Sequence, residues 1–597
     1  MPPKFMFARD RLVQGRLHSA VAAAGATAAL IVLGALLLTT ANTSWAASAG
    51  AMPAQRLKIA IVQMAQVPTL AGNRDRIIAG IADGARRGAR VIVLPEAALM
   101  GDGSDNLGAV DEAVDAISRA TQVHNVYTMF GATTHTPKQK KNVNWMRVIA
   151  PDGRQLFHYD KLYDQPDATM PGLFAIDGVQ CGAIICADRW LRSVEEIPVQ
   201  QGAKISFELS CNSSVEWVPP FGWYWYVPRA VRNNVWVVFA NTANFVSGVP
   251  TYPGAVLRHG HSAIIAPDGR LVASSADDVA TIVMTEIDVN EATRAEALAR
   301  STHPALREFW NAGLKLHAGE PVTALRVAPI SIKPTEVTLA VAQVTGDVAA
   351  IKAKIGEASA RRADVVVFPA RAIPYAALGS LQDAARAHRI TVVFGAEYRG
   401  DAAAPRNSAF VIGPDGTLLT RYDQLSAASP FEPGTNAASM WFRVKGVPAV
   451  VTIGRDGLWN ELAELAAAAG AQIHVHLDHE RSGGPSAKLR RQVWANLASF
   501  LTLTATVNVA DSMIWDDLRG LEERRAPIGQ QQPESGVVEV YSQYSANLVA
   551  QARSAGELLV VTRRVNATNL YHTRTIARKN PQMEPWYRAG AASILPK

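Results

Sequence analysis

The sequence has very little cysteine and no dense cluster of basic residues. Its 597 residues include 3 cysteines, at Cys181, Cys186 and Cys211. This small, odd number excludes a disulfide-rich scaffold and leaves at least one thiol free, although Cys211 could still pair with Cys181. No Cys-x-x-Cys spacing of the kind that binds zinc is present. The formal net charge is +7, but the Lys and Arg residues are dispersed, so we expect no nucleic-acid partner.

Charge is also missing from a long segment near the N-terminus. Basic residues occur within the first eighteen positions, and no charged residue occurs from Ser19 to Gln55. A basic start, an apolar centre and the Ala-x-Ala-like site at 47–49 are typical of an export signal. The uncharged segment is also long enough to span a bilayer, so 1–50 is predicted to be a cleaved signal peptide or a membrane anchor. In both cases we expect the remainder to be exported, to the periplasm or the extracellular space.

What the sequence does contain is an internal repeat. The strand-like segment LKIAIVQM (57–64) recurs as VTLAVAQV (337–344), and NWMRVIAPDGRQLFHYDKL (144–162) recurs without a gap as NSAFVIGPDGTLLTRYDQL (407–425). Two more pairs of segments match, in the same order, between these. Each copy alternates strands and helices and then forms a hairpin turned by Pro-Asp-Gly, which predicts a layered α/β sandwich.

The repeat also predicts the domain boundaries. We place the first copy at 57–320 and the second at 337–592, joined by a proline-containing linker at 321–336. A polar segment at 515–536 interrupts the second copy and is predicted to be an exposed loop.

Three reactive side chains follow predicted strands of the first copy. Glu96 comes after RVIVLP, Lys161 after RQLFHYD, and Cys186 after CGAII. A carboxylate at the carboxyl end of a buried strand lies where α/β proteins bind ligands. A thiol in a strand-to-helix turn lies near backbone N–H groups that stabilise an oxyanion. Each residue alone also fits an ordinary structural role: a surface glutamate, a solvated lysine or a buried thiol.

Together these residues resemble the nitrilase, or carbon-nitrogen hydrolase, superfamily. The resemblance rests on LPE (94–96), YDK (159–161) and CADRW (186–190), and it continues in GHSAIIAPDGRLV (260–272) and THPALREFW (302–310). It covers essentially the whole first copy. It implies tandem αββα four-layer sandwiches, preceded here by the predicted N-terminal signal or anchor.

The resemblance also implies a catalytic triad and its chemistry. Cys186 would attack the carbonyl carbon, Glu96 would act as the general base, and Lys161 with the backbone N–H of Ala187 would stabilise the oxyanion. We expect burial to raise the pKa of Glu96 toward the working pH. The reaction requires no metal and no organic cofactor.

The residues after the cysteine narrow the reaction class. Cys-x-Asp-x-Trp resembles the amidase and carbamoylase branches, so a small linear amide is the expected substrate and nitrile hydrolysis is the alternative. Asp167 and Asp188 are candidates for substrate positioning. Arg232 stands where the family's R-A-x-E-N segment has glutamate, which is a departure from the pattern. A second alternative is a noncatalytic binding or assembly protein that retains the triad by descent.

The second copy lacks all three reactive groups. Ala370 stands at the position of Glu96, Gln424 at that of Lys161, and Gly454 at that of Cys186. We therefore predict that the second copy is degenerate and inactive. It could supply within one chain the contact that family members make between subunits, forming an intrachain pseudo-dimer, with a homo-oligomer as the alternative.

One segment of the second copy suggests a rival role. His474, His476 and Asp478 would project from one face of a strand, where they could bind a metal, although an exposed polar strand face has the same pattern. The prediction for this protein remains that no metal is bound.

Overall fold

The structure is a computed structural model that describes most of the chain beyond the N-terminal segment. The described residues are 55–135, 142–163, 170–212, 217, 222–246, 249–250, 257–323, 333–400, 403–427, 429–479, 485–498, 500–516, 547–552, 554–565 and 584–596. The predicted signal or anchor, Asp167, and 517–536 of the predicted insertion lie outside them. Residues 55–597 form one compact unit. None of the helices in the described ranges combines the length and the apolar character that crossing a membrane requires.

The first copy is built on two six-stranded sheets. The strands are β1 (Arg56–Gln63), β2 (Val91–Val93), β3 (Tyr127–His135), β4 (Asn142–Ile149), β5 (Gln155–Asp160), β6 (Phe174–Ile176), β7 (Val179–Ile185), β8 (Ile205–Ser210), β9 (Trp236–Asn241), β10 (Phe245–Val246), β11 (Val249–Pro250), β12 (Ala263–Ile265), β13 (Leu271–Ser274) and β14 (Thr281–Asp288). One sheet has the order β14-β1-β2-β3-β4-β5 and the other β13-β12-β9-β8-β7-β6, while β10 and β11 form a separate pair.

The second copy repeats this arrangement. Its strands are β15 (Thr335–Ala342), β16 (Val365–Val367), β17 (Thr391–Tyr398), β18 (Arg406–Ile412), β19 (Leu418–Asp423), β20 (Trp441–Val444), β21 (Val447–Ile453), β22 (Ile473–Leu477), β23 (Leu503–Val507), β24 (Met513–Asp516), β25 (Asn547–Gln551) and β26 (Leu558–Val565). Their orders are β19-β18-β17-β16-β15-β26 and β20-β21-β22-β23-β24-β25. The strand β15 begins at Thr335, so the last two residues of the predicted linker already belong to a sheet.

Helices connect the strands in both copies. The α-helices are α1 (Leu70–Arg86), α2 (Leu107–His124), α3 (Arg192–Glu195), α4 (Ile197–Gln201), α5 (Val227–Asn233), α6 (Ala295–Thr302), α7 (Arg307–His317), α8 (Val348–Ala360), α9 (Leu378–His388), α10 (Glu461–Ala468), α11 (Pro485–Leu497) and α12 (Glu584–Ser593). The 3₁₀ helices are Cys186–Trp190, Val289–Glu291, Tyr375–Ala377, Ala437–Met440 and Gly454–Leu458.

Strand alternation explains why the sheets form layers. In β1, Ile59 and Ile61 face the core between the two sheets, and Ala60 faces a second core that includes Ile77 and Ile81 of α1. Both faces of the sheet are therefore buried. The same division into two cores recurs at β15 and α8 in the second copy. The predicted α/β fold in tandem is confirmed.

The two copies pack against each other through equivalent helices. REFWNAG of α7 and EPWYRAG of α12 occupy matching places near the ends of the two copies. Phe309 stacks on Trp586 with ring centroids 4.8 Å apart. A Cβ added to Gly313 would lie 2.4 Å from the Trp586 ring, and one added to Gly590 would lie 2.4 Å from the Phe309 ring. The contacts are reciprocal, because the glycine of each helix lies against an aromatic ring of the other helix.

Buried charged side chains also cross this contact. Arg192 of the first copy donates to Asn460 at 3.1 Å and pairs with Glu464. Asn460 lies 268 positions after Arg192 and is its counterpart in the second copy. Arg300 has no solvent exposure and lies 3.1 Å from Glu196 and 3.0 Å from Glu461. Because these guanidinium groups are removed from water, they depend on carboxylates from both copies.

The Arg300→Met substitution is therefore expected to destabilise the protein strongly. It leaves Glu461 with Arg192 as its closest described cation, at 3.8 Å. Breaking a buried ion pair typically lowers the free energy of unfolding by about 3–5 kcal/mol. The matched control is Arg270→Met, which breaks an exposed pair with Glu291 and should cost at most about 1 kcal/mol. Equal shifts of the urea unfolding transition in both variants would contradict this prediction.

Candidate active site

Cys186 lies at the end of a central strand, in a constrained turn. The strand β7 runs parallel to β8 and ends at Ile185, and Cys186 begins the 3₁₀ helix with a φ of 48°. A positive φ is unusual for a residue other than glycine, and such strain clusters at functional sites. The thiol lies 3.2 Å from Asn212 Oδ1 and 3.6 Å from Arg189 Nη2. The turn thus places the sulfur beside Asn212, which follows β8, and beside Arg189 of the same 3₁₀ helix.

Glu96 and Lys161 form a buried ion pair beside this turn. Lys161 Nζ donates to Glu96 Oε1 at 2.7 Å, and the two side chains are 8% and 2% exposed. Asn144 Nδ2 donates to the same oxygen at 2.6 Å. Lys161 follows β5, whose neighbour β4 carries Asn144, so the hairpin predicted from Pro-Asp-Gly positions both donors. The sequence analysis did not identify Asn144, although its alignment with Asn407 in the repeat was visible.

The ion pair corrects the expected protonation behaviour of Glu96. Burial favours a higher pKa, but the charge and hydrogen bond of Lys161, with hydrogen bonds from Cys211 and Asn144, lower the pKa to about 2. The expectation of a raised pKa is therefore wrong. The carboxylate is ionised throughout the neutral range and is able to accept a proton.

Cys211 and Asn212 connect the ion pair to the thiol of Cys186. The backbone N–H and the thiol of Cys211 donate to Glu96 Oε2 at 3.0 and 3.1 Å, and the next residue, Asn212, contacts Cys186. The three sequence-predicted triad residues are thus brought to one site, at the end of β8. Burial, followed by the nearby Glu96 and Cys186, raises the pKa of Cys211 well above its usual value.

All three cysteines are free. Cys181 lies within β7 and is buried, whereas Cys211 faces Glu96. The pairing of Cys211 with Cys181 that the sequence left open is therefore not formed.

Ala187 and Asp188 follow Cys186 in the 3₁₀ helix. Ala187 lies in the first turn, where helix N–H groups lack partners within the helix, as an oxyanion donor requires. Asp188 is fully buried and accepts from the Tyr159 hydroxyl at 2.8 Å and the Tyr163 backbone N–H at 2.8 Å. Both carboxylate oxygens accept hydrogen bonds from the protein, so Asp188 holds the turn, and its role in substrate positioning stays a prediction.

A network of buried ion pairs begins at Arg189, next to the Cys186 thiol. Arg189, which contacts the Cys186 thiol, pairs with Glu208 at 2.6 Å, and Glu208 also pairs with Arg229. Arg232, the departure from the family pattern, pairs with Glu195 at 2.8 Å and with Glu196 at 2.9 Å. Arg232 therefore belongs to the charge network that reaches the second copy.

The family is decided by comparison with known proteins. The family model described as carbon-nitrogen hydrolase matches 58–297 and 326–502, which together exceed half of the chain. The chain belongs to the carbon-nitrogen hydrolase family. The two matched segments also confirm the tandem copies predicted from the repeat. No curated protein sequence matches the chain significantly.

Solved structures of the same superfamily are similar to parts of this carbon-nitrogen hydrolase. Nit3 of Saccharomyces cerevisiae, a member of branch 10 of the nitrilase superfamily, is 20% identical; the match covers 42% of this chain and 94% of Nit3, with a TM-score of 0.35. An amidase from Nesterenkonia sp. is 16% identical over 41% of this chain and 95% of its own, with a TM-score of 0.33. The C. elegans NitFhit protein is 20% identical; the match covers 43% of this chain and 65% of NitFhit, with a TM-score of 0.37.

The second copy retains the framework of the site without its reactive groups. Gly454 follows β21 and begins a 3₁₀ helix with a φ of 59°, as Cys186 does after β7. A Cβ at Gly454 would lie 2.6 Å from Gln424 Oε1, so Gln424 occupies the space of a nucleophile side chain. Tyr422 donates to Asp456 at 2.7 Å, as Tyr159 does to Asp188. The framework persists because it holds the turn.

The two histidines of β22, considered above as metal ligands, are buried and contact a threonine hydroxyl. His474 and His476 are buried, and both lie within 2.9 Å of the Thr452 hydroxyl, at 2.8 and 2.9 Å. Burial lowers the pKa of each to about 3, so both are neutral. The alternative of an exposed polar face is wrong. Within the described ranges, no three His, Cys, Asp or Glu side chains converge in a way that would hold a metal ion.

Proposed function

We propose that the protein is an exported carbon-nitrogen hydrolase that cleaves linear amides through a thioester on Cys186. The observation that carries the proposal is the buried Glu96–Lys161 pair, connected through Cys211 and Asn212 to a thiol in a strained turn. A nucleophile, an ionised base and a cation are the groups that amide hydrolysis needs. The basic, then uncharged, N-terminal segment supports export.

The chemistry follows from the roles of these groups. Glu96 accepts the Cys186 proton as the sulfur attacks the carbonyl carbon, and the negative oxygen is stabilised by Lys161 and the Ala187 N–H. The C–N bond breaks as Glu96 returns the proton to the leaving amine. Water, deprotonated by Glu96, then attacks the thioester; the acid leaves and the proton returns to the thiol. The reaction consumes one water and releases one acid and one amine.

The second copy is proposed to act as a permanent partner within the chain. Its helices α10 and α12 cover the face of the first copy that carries α3 and α7 through the buried ion pairs and the Phe309–Trp586 stack. A fused partner makes this contact independent of protein concentration.

The proposal is tested by measuring the products from matched substrates. The purified protein is incubated with acetamide and phenylacetamide and with the corresponding nitriles, and ammonia release is followed with and without hydroxylamine. We expect ammonia from the amides, and a hydroxamate when hydroxylamine intercepts the thioester. Turnover of the nitriles alone would favour nitrile hydrolysis. No turnover and no labelling of Cys186 by iodoacetamide would favour the noncatalytic alternative.

A further inference from the structure

The degenerate site of the second copy opens into a large cavity. Its volume is about 410 Å³, and Gln424 and Gly454, the counterparts of Lys161 and Cys186, lie in its wall. The cavity is large enough for a small metabolite. The degenerate site therefore borders a space that could hold a ligand, and the lining of this cavity has a definite chemistry.

Two opposite charges line the cavity without a salt-bridge partner. Arg371 directly follows Ala370, the counterpart of Glu96, and its guanidinium lies over the Phe431 ring, 5.8 Å from the centroid. Asp478 follows β22 and accepts the His479 backbone N–H at 2.8 Å. Within the described part of the chain, neither Arg371 nor Asp478 forms an ion pair. Burial raises the pKa of Asp478, while the His479 backbone N–H and the charges of Arg490 and Arg371 act to lower it.

A buried acceptor in the same wall is also unsatisfied. Asn407 is 6% exposed, and its amide nitrogen donates to Gln424 Oε1 at 2.7 Å. Asn407 Oδ1 has no hydrogen-bond partner among the described residues. An unsatisfied buried acceptor is costly, so this atom indicates a donor that enters from the cavity.

The remaining wall is apolar and aromatic. Phe431, Leu489, Val493 and Trp494 line it, with Arg490 placed over the Trp494 ring at 5.3 Å. Such a surface accommodates an apolar side chain. The cavity therefore offers a cation, an anion, a hydrogen-bond acceptor and an apolar wall.

We propose that the second copy binds an apolar α-amino acid in this cavity, with the ligand carboxylate on Arg371 and its ammonium group on Asp478 and Asn407. A molecule with one charge would leave either Arg371 or Asp478 uncompensated, whereas a zwitterion pairs with both. The site is separate from the proposed hydrolase site and does not depend on its activity.

The test compares amino acids with analogues that lack one charge. L-leucine and L-phenylalanine are titrated calorimetrically into the purified protein, beside 4-methylpentanoate and 3-phenylpropanoate, and beside 3-methylbutylamine and 2-phenylethylamine. We expect at least one amino acid to bind, and both of its single-charge analogues to bind roughly tenfold or more weakly, because each loses a charge-assisted contact. No binding of either amino acid, or equal binding of an analogue, would overturn the proposal.

Substitutions of the cavity residues test whether the amino acid binds in this cavity. Arg371→Gln and Asp478→Asn are expected to weaken binding roughly tenfold or more, whereas Arg399→Gln, an exposed arginine of the same copy that does not line the cavity, should not. The melting temperature without ligand verifies that each variant is folded. Alkylation of Cys186 with iodoacetamide should leave amino-acid binding intact. Retained affinity in both cavity variants, or its loss on alkylation, would overturn the assignment.

Discussion

Replacing Cys186 with alanine is expected to reduce amide hydrolysis by about 10⁴-fold or more, because no covalent intermediate can then form. The chain contains its own control. Cys181 lies five positions earlier, within β7, is also a free thiol, and is fully buried with its pKa raised by burial. Cys181→Ala should therefore retain turnover, at a modest cost in stability for the lost packing.

Comparing Cys186→Ala with Cys181→Ala distinguishes a loss of the nucleophile from a loss of folded protein. Both variants are assayed for kcat and kcat/KM with the preferred amide, and both are melted to verify folding. Mass spectrometry of iodoacetamide-treated protein should find the label on Cys186 and not on Cys181. Turnover in Cys186→Ala close to that of the wild type would refute the proposed nucleophile.

Lys161→Gln is expected to lower kcat by about 10²–10³-fold, the usual effect of removing one oxyanion donor. The second copy already carries Gln424 at this position within the same hairpin, so the fold accommodates the change. The control is Lys58→Gln, since among the described residues Lys58 donates only to a backbone carbonyl, that of Arg87 at 2.7 Å.

The same variant should change the pH dependence. In the wild type Lys161 contributes to holding the pKa of Glu96 at about 2, so the base is ionised above that pH. Without Lys161 the effect of burial, which is the largest influence on Glu96, raises the pKa. Activity requires the ionised base and is lost as pH falls through its pKa, so the acidic limb of the kcat/KM profile should move to higher pH. An unmoved limb would show that Glu96 is not the titrating base.

Much of the site was predictable because the repeat provided an internal comparison. Glu96, Lys161 and Cys186 differ from the second copy, while the Pro-Asp-Gly turn and the aspartate two positions after Cys186 recur in it, so the three side chains were separable from packing. Cys211 and Asn212 were not identified, because their importance comes from contacts with Glu96 and Cys186, 115 and 26 positions away in sequence. Only the meeting of strand ends at one edge of a sheet reveals such a contact.

The limits of prediction are clearest for electrostatics. From the sequence, a shielded position suggested a raised pKa for Glu96, and Asp188, close after the cysteine, was a candidate for substrate positioning. In the structure, the direction of the Glu96 shift is decided by a lysine at 2.7 Å, and Asp188 is occupied by Tyr159 and Tyr163. The sign of a pKa shift depends on the distance to each partner, which no spacing in the sequence specifies.

The sequence by itself determined the tandem α/β organisation, the identity of the three reactive residues and the absence of those groups from the second copy, because periodicity, turn residues and repeat alignment are local properties of the chain. The tertiary structure alone decided that Glu96 is an ionised carboxylate paired with Lys161, that the copies pack through Arg300 and the Phe309–Trp586 stack, and that the degenerate site borders a cavity with charged residues in its wall. These properties arise from contacts between residues far apart in sequence. Their energies depend on burial and distance, which exist only once the chain is folded.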